Sequence, residues 1–501
     1  MKQIVYFFCF IYLMSTSIAS GQKFDNKWML GYPSGVGIPQ PAMDFYFGTP
    51  DTILYYGIIT NLFSHVSICN AQGLLQFYTN GISISNKNHQ LMTGSTNFNQ
   101  DDITINYPNF LPIDDCIIAL PDPGSSDIYS LFHVAGTSIN GIYKPLNLRQ
   151  SIIDMSLQIG DGALTSTTTQ LNATLLYRTL DATKHANGRD WWILIGEEGT
   201  DKFYSLLYTP QGVVNTVTSS NLPIHTSGIN RGQSCFSPDG NIYTLASSDF
   251  NPNFATNAIY IYNFDRCSGN LSLRDSFLFG GSIDSTLAGC AISPNSRYLY
   301  INNTYNLYQY DLQAPDIAAS KTHIATYDAF LDPLLTYFYR MQIGPDQKIY
   351  MGTWGSSEHL SVINQPDSAG PLCNFVQHQQ QLPMLYSGTL PRYPNYRLGA
   401  LSGSPCDTLS VSLAEHETSS NSLFCYYSEG SIFIELPDKN SETGLLEIRT
   451  ISGQLVYQKQ LPPSSTYPSL KINDFTASNG IYIAMYKNRK LYLRNKLTVQ
   501  N

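Results

Sequence analysis

Charge is scarce in this sequence: Asp, Glu, Lys and Arg make up 13% of 501 residues, about half the quarter usual in a globular chain. That excludes a coiled coil, a long-helix protein and a charge-driven disordered chain. The net charge of −9 gives the chain as a whole no cationic surface for a phosphate backbone, so no nucleic-acid partner is expected. C-x-x-C is absent, which removes the usual zinc and thioredoxin-like patterns. So are G-x-S-x-G, H-E-x-x-H, the P-loop, a complete G-x-G-x-x-G and the calcium loop. Gly35-Val-Gly37 and Gly160-Asp-Gly162 are fragments of such patterns and read as turns. No catalytic residue, metal or cofactor is therefore predicted. The histidines at 65, 89, 133, 225, 323, 359, 378 and 416 show no ligand spacing.

Long apolar runs are also missing after the N-terminus. Met1-Lys2-Gln3 precedes an 11-residue apolar run, Ile4–Met14, then small and polar residues to Gly21. This is the layout of a signal peptide over 1–21, cleaved after Ala19, Ser20 or Gly21. Eleven residues are too few to span a bilayer as a helix, so no transmembrane segment is expected after cleavage. Beyond Cys9, eight cysteines remain. An exported chain permits disulfides among them, but the count leaves 105 pairings open.

What the sequence has in abundance is Tyr (35), Phe (24) and Gly (36), arranged in a repeat. Cys235-Phe-Ser-Pro-Asp-Gly-Asn-Ile-Tyr243, Ala291-Ile-Ser-Pro-Asn-Ser-Arg-Tyr-Leu-Tyr300 and Gln342-Ile-Gly-Pro-Asp-Gln-Lys-Ile-Tyr350 share one form. Each is an apolar strand end, a turn set by Pro and Asp or Asn, and an aromatic strand. Weaker copies begin at Ile68, Leu120 and Lys184; the turn residues Asn70, Asp122, Asn187, Asp239, Asn295 and Asp346 are 52, 65, 52, 56 and 51 residues apart. Downstream runs such as Phe203–Tyr208, Ile259–Asp265 and Leu307–Leu312 alternate as strands do. Four strands per period is a WD-like β-propeller signature, predicting six or seven four-stranded blades over 22–405. In the seven-blade form, Met43–Phe47 and Ile53–Tyr56 are completed by Tyr396–Leu401 in a shared closing blade. A β-sandwich competes, though it needs no such period.

Residues 406–424 read as a linker. Charge then inverts: 438–501 carry +5 against −14 for 1–437, the mark of a separate module. Short strands over 425–501 predict a small C-terminal β-sandwich. Thr450-Ile-Ser-Gly-Gln-Leu-Val-Tyr457, Leu470–Phe475, Ser478-Asn-Gly-Ile-Tyr-Ile483 and Lys496-Leu-Thr-Val499 resemble the type A C-terminal sorting domain of the type IX secretion system of Bacteroidetes. Gly453, Gln454, Gly480 and Tyr482 fall in its motifs, while Phe424–Gly430 stands where the family opens with Pro-Asn-Pro. Lys27–Gly31, Gly73–Gly81, Lys184–Trp192, Phe264–Gly269 and Tyr393–Gly399 resemble propeller regions fused to such domains. The resemblance implies the type IX machinery as a partner, export across inner and outer membranes, and a secreted or cell-surface product. It implies no reaction.

Lys184-His185-Ala-Asn-Gly-Arg189-Asp190-Trp191-Trp192 is the most unusual local sequence. His185, Arg189, Asp190 and Trp191 are its candidate ligand-binding residues, a titratable cluster beside a ring able to stack on a sugar. Structurally the same residues form a hairpin turn and its packing. The sequence thus points to a monomeric, non-enzymatic surface or secreted propeller that binds a glycan or protein. A polysaccharide lyase or hydrolase at the channel and a structural or adhesive protein are the alternatives.

Overall fold

The computed structural model describes residues 22–31, 38–96, 98–113, 115–139, 142–176, 178–225, 231–251, 254–279, 287–407, 423–428, 431–435, 443–450, 454–462, 469–473, 475–476, 478–488 and 492–499. The expected signal peptide, 1–21, and Gly453 lie outside them. Contacts divide the chain into two compact units, Met1–Thr408 and Leu409–Asn501.

The repeat turns begin the structure. In all six, the Asn or Asp carboxamide or carboxylate accepts a backbone N–H two residues on: Gln72 to Asn70 (3.1 Å), Gly124 to Asp122 (2.8 Å), Arg189 to Asn187 (3.0 Å), Asn241 to Asp239 (3.1 Å), Arg297 to Asn295 (3.0 Å) and Lys348 to Asp346 (3.4 Å). Such side-chain closure of a tight turn is why Asn and Asp recur there. Each turn joins the first and second strands of an antiparallel sheet, with Lys184 opposite Trp191, Phe236 opposite Tyr243 and Ile292 opposite Leu299.

Among the described residues the first unit holds seven such sheets, each a meander of consecutive strands. Blades 1 and 2 have three strands: Lys27–Met29, Gln40–Asp44, Asp51–Tyr55, and Val66–Cys69, Leu75–Thr79, Ile84–Asn86. Blades 3 to 7 have four each and begin with Ile117–Pro121, Asp181–Lys184, Arg231–Phe236, Leu287–Ile292 and Phe338–Ile343. First strands of neighbouring blades lie beside one another from blade 1 to blade 3 and from blade 4 to blade 7, which makes them the inner ring. Outer strands such as Leu271–Leu278 face water along most of their length. This is a β-propeller.

Apolar layers run between the blades. Trp192, Tyr243 and Tyr262 pack between blades 4 and 5; Ile259, Cys290 and Ile301 between 5 and 6; Tyr300, Met341 and Met351 between 6 and 7. The ring closes where Trp28 and Phe45 of blade 1 meet the Tyr350 ring of blade 7 at 5.4 and 5.7 Å. Buried tyrosines keep their hydroxyls bonded at the layer edges: Tyr243 to Thr179 O (2.9 Å), Tyr300 to Pro366 O (2.8 Å) and Tyr350 to Asp346 (2.9 Å). Packing between blades thus accounts for much of the tyrosine excess.

The closing blade differs from the sequence expectation. Gln40–Asp44 and Asp51–Tyr55 are completed by Lys27–Met29, and residues 396–401 form no strand. Pro391 and Pro394 lack the N–H a ladder needs, and the tyrosines beside them bond individual carbonyls of the inner ring instead.

The second unit is a small β-sandwich. One sheet pairs Phe424–Ser428, Ser431–Glu435 and Ser469–Ile472; the other pairs Leu455–Leu461, Gly444–Thr450, Gly480–Lys487 and Tyr492–Val499. Ile432, Ile434, Leu446, Ile448, Ala484 and Leu497 form its core. The alternating burial of Gly480–Lys487 is that of a strand with one face inward and one in water.

Candidate functional site

Residues 387–401 follow the last blade and enter the inner ring. Ser387 Oγ donates to Asn61 O (2.9 Å); Tyr393 Oη shares a 2.6 Å hydrogen bond with Ser67 Oγ and donates to Lys27 O (3.2 Å); Tyr396 Oη donates to Ala119 O (2.7 Å). Arg392 Nη2 donates to Asp181 Oδ2 (2.7 Å) and Ser234 O (2.8 Å), and Gln342 Nε2 donates to Tyr393 O (3.3 Å). One segment therefore holds the first strands of blades 1, 2, 3, 4, 5 and 7. Arg397 pairs with Asp25 through two 2.7 Å bonds, and Cys406 is disulfide-bonded to Cys267.

At the axis lies a buried charge cluster. Asp115 Oδ2 is 3.5 Å from both Arg340 Nη1 and Arg392 Nη1, and Asp181 takes Arg392. Arg340 also donates to Ala288 O (3.0 Å) and to Gly232 O. Burial raises the Asp181 carboxyl despite the opposing Arg392. Burial also works against the Arg392 charge, but Asp181 and Asp115 outweigh it and hold the guanidinium above its usual range. Two buried carboxylates paired with two guanidiniums are structural anchors in this arrangement.

A cavity flanks the cluster on each side along the axis. One is lined by Gln233, Cys235, Cys290, Met341, Arg392 and Asn395, among others. The second, of about 260 Å³, lies at the opposite ends of the same inner strands; Arg178, Gly232, Ala288, Thr304, Tyr337, Tyr339, Arg340 and Trp354 line it. Trp354 is 46% exposed, its ring edge-on to Tyr339 at 4.8 Å, and Tyr337 lies 5.4 and 5.0 Å from Tyr305 and Tyr327. Beside it, exposed Phe330, Leu331 and Leu334 sit on a loop held by two imidazole–carboxylate pairs, His359–Asp332 (2.5 Å) and His378–Asp328 (3.1 Å). Concave shape, aromatic walls and a few polar groups are the features of a ligand pocket. Among the described residues, no group of three or more His, Cys, Asp or Glu side chains gathers as a metal site would require.

The residues singled out by sequence lie elsewhere. His185, Arg189, Asp190 and Trp191 sit in the first hairpin of blade 4, and their groups bond inward. Arg189 and Asn187 both reach the Asp190 carboxylate (2.7 Å each); the His185 ring bonds Asn187 N (3.1 Å) and Cys267 O (3.2 Å). Trp191 has no exposed surface: Lys184 Nζ lies 3.8 Å over its ring and Tyr396 packs edge-on at 5.8 Å. Burial pushes the Lys184 ammonium down to about 7. A sugar has no ring face to stack on there. Trp28 is likewise buried, donating to Asp25 O (3.0 Å). The pocket residues Arg178, Tyr337, Tyr339 and Arg340 carry no local motif that the sequence could have shown.

A seven-bladed propeller with an aromatic-walled cavity at one end of its axis is the class that fold and site define. No family model matches the chain, and no curated protein is found similar to it. Solved structures similar to it include the periplasmic gluconolactonase PpgL of Pseudomonas aeruginosa, at 11% identity over 73% of this chain and 99% of that one, TM-score 0.41. Another is a putative 6-phosphogluconolactonase from Bacteroides uniformis, at 11% identity over 89% and 96%, TM-score 0.34. A third is PorZ, a surface component of the type-IX secretion system of Porphyromonas gingivalis, at 13% identity over 92% of this chain and 63% of PorZ, TM-score 0.35. Likeness at this level concerns the fold and supplies no residue correspondence.

Proposed function

We propose that this is an exported binding protein whose propeller takes a glycan or protein segment at the cavity walled by Tyr337, Tyr339 and Trp354. The observation that carries the reading is the half-exposed Trp354 ring at a concave, aromatic-lined mouth, where Trp28 and Trp191 are both buried. Aromatic faces bind apolar sugar faces and planar groups, and Arg178 and Thr304 at the rim supply polar selectivity. The described residues lining that cavity are aromatic, aliphatic, small or cationic, the loop beside it carries the His359–Asp332 and His378–Asp328 pairs, and Asp115 and Asp181 are engaged by arginines; product analysis separates binding from lyase or hydrolase chemistry.

On this reading 22–405 is the binding domain, 406–424 a linker and 425–501 a type IX sorting domain. Supporting it are the mutual hydrogen bonds of Thr450 and Gln454 (2.9 and 3.1 Å), and the buried Tyr482, whose hydroxyl donates to Ser478 O (2.9 Å) after the strand opens at Gly480. The Cys267–Cys406 disulfide is consistent with export. Two experiments test the proposal. Purified protein is screened against polysaccharides and peptides by thermal shift, with product analysis in the same wells; binding raises the melting temperature, and turnover would overturn the non-enzymatic reading. Deleting 425–501 is expected to trap the protein in the periplasm, and wild-type secretion without it would refute the sorting role.

A further inference from the structure

The axial cavity on the other side of the charge cluster carries chemistry that ligand binding does not use. Cys235, on the first strand of blade 5, and Cys290, on the first strand of blade 6, place their sulfurs 3.5 Å apart. Both line the cavity; Cys290 is fully buried and Cys235 is half-buried. Their approach is enforced by Gln233, whose side chain spans three blades: Oε1 accepts from Cys290 N (3.1 Å) and Met341 N (3.0 Å), and Nε2 donates to Met341 O (2.9 Å). The Cys290 thiol also lies 3.0 Å from Gln233 O, so both sulfurs are held in register by the strand that carries one of them. The chain already contains one disulfide, Cys267–Cys406, and its compartment therefore supplies an oxidant for cysteines.

We propose that Cys235 and Cys290 are an oxidisable dithiol whose co-reactant is a low-molecular-weight disulfide and whose product is a second cross-link, joining blades 5 and 6 at the axis. The half-buried Cys235, as thiolate, attacks one sulfur of the reagent RSSR; the reagent's S–S bond breaks, RS⁻ leaves and Cys235–S–S–R remains. Cys290, having lost its proton to solvent, attacks Cys235 Sγ and expels the second RS⁻. Two cysteine thiols are oxidised by two electrons and the reagent is reduced to two thiols, each taking up one proton. The sulfurs need close by only about 1.5 Å to reach the bonded distance of about 2 Å. The contact with Cys290 and burial push the Cys235 thiol well up, so the reaction in the folded chain is slow at neutral pH and quickens as pH rises. This inference stands apart from the ligand reading above.

The test uses the purified full-length protein and oxidised glutathione at alkaline pH, followed by alkylation of free thiols, proteolysis and mass spectrometry. The expected product is a peptide pair joined through Cys235 and Cys290 and two hydrogens lighter than the sum of its parts, with Cys267–Cys406 unchanged. In Cys290→Ser the resolving step is lost, and glutathione is expected to accumulate on Cys235 at least tenfold above its wild-type occupancy. Recovery of Cys235 and Cys290 as separately alkylated peptides after exhaustive oxidation would overturn the proposal, as would linkage of either to another cysteine. Because the wild-type map alone decides the pairing, a variant that fails to fold leaves the test intact.

Discussion

Replacing Arg392 with Met is expected to be among the costliest single changes in the propeller. The guanidinium lies 2.7 Å from Asp181 and 3.5 Å from Asp115, and all three side chains are buried. At an effective dielectric of about 20, these separations correspond to roughly 6 and 5 kcal/mol of attraction. Against that stands a desolvation penalty of several kcal/mol per ion, so the pair's net worth is far smaller. Met keeps the apolar stem but leaves Asp181 buried with no cation and Asp115 dependent on Arg340, a situation that costs about 3–5 kcal/mol. For a unit of roughly 400 residues, an unfolding entropy of about 2.1 cal/mol/K per residue converts this into a fall of about 4–6 °C in Tm. Calorimetry and urea titration of the full chain measure it. The deficit should also depend on pH. Burial already raises the Asp181 carboxyl, and without Arg392 it rises further; a carboxyl with a raised folded pKa favours the folded state when protonated. The deficit of the variant should therefore shrink as pH falls toward the unfolded carboxyl value of about 3.9. Asp181→Asn combined with Arg392→Met should recover part of the loss. A single-variant change below about 1 kcal/mol, independent of pH, would refute the view that this cluster anchors the segment to the ring.

Other expectations concern the sites around it. Trp354→Ala should weaken binding of any ligand found by screening at least tenfold with little change in Tm, whereas Trp191→Ala should lower stability by about 3–5 kcal/mol; equal Tm losses would remove the distinction between open and buried rings. Gly188→Ala places a Cβ 2.3 Å from Ala400 N at a φ of +74°, and about 2 kcal/mol or more of destabilisation is expected in urea titration. Cys267→Ser with Cys406→Ser opens a cross-link spanning 139 residues, for which chain entropy gives an upper value of about 5 kcal/mol; unchanged stability would show that other contacts already fix that end of the segment. Burial holds His133 down at about 3 and His225 at about 4, below the unfolded value of about 6.5. The unfolded chain thus binds more protons between these limits, and stability should fall as pH drops, by about 2 kcal/mol per histidine at pH 5. The difference in urea midpoint between pH 7 and pH 5, compared with that of His225→Gln, checks this.

The blades were legible because a turn is a local object. Asn187 or Asp239 closes its own hairpin with its own side chain, and the aromatic strand after each turn announces the layer it fills, so six first hairpins could be placed from sequence. The sandwich strands Gly444–Thr450 and Gly480–Lys487 were legible for a similar reason, being bounded by Gly and Asn turns. Closure was not legible, since the strand that completes blade 1 is Lys27–Met29 and three residues carry almost no period. Residues 396–401 looked like the missing strand because they follow the last turn by about one repeat. The Pro, Tyr and Arg spacing of 391–396, just before and into them, encoded a series of single bonds to six different strands, a pattern that exists only once the ring has formed.

The Trp191 hairpin owes its unusual sequence to local structure. His185, Arg189 and Asp190 are polar and clustered because the turn must bond its own backbone and seat the chain returning from the axis: Leu401 N donates to Ala186 O (2.8 Å), and Arg266 reaches Gly399 O. The mouth proposed as the ligand site draws instead on Arg178, Tyr337, Tyr339 and Trp354, from three places on the chain that the inner ring brings together. Nearest neighbours in sequence serve closure here, and nearest neighbours in space form the pocket. A propeller separates the two because each blade contributes a strand end to the axis and keeps its hairpin for itself. Substitutions in the 185–192 turn should therefore alter stability before affinity, and those at the mouth affinity before stability.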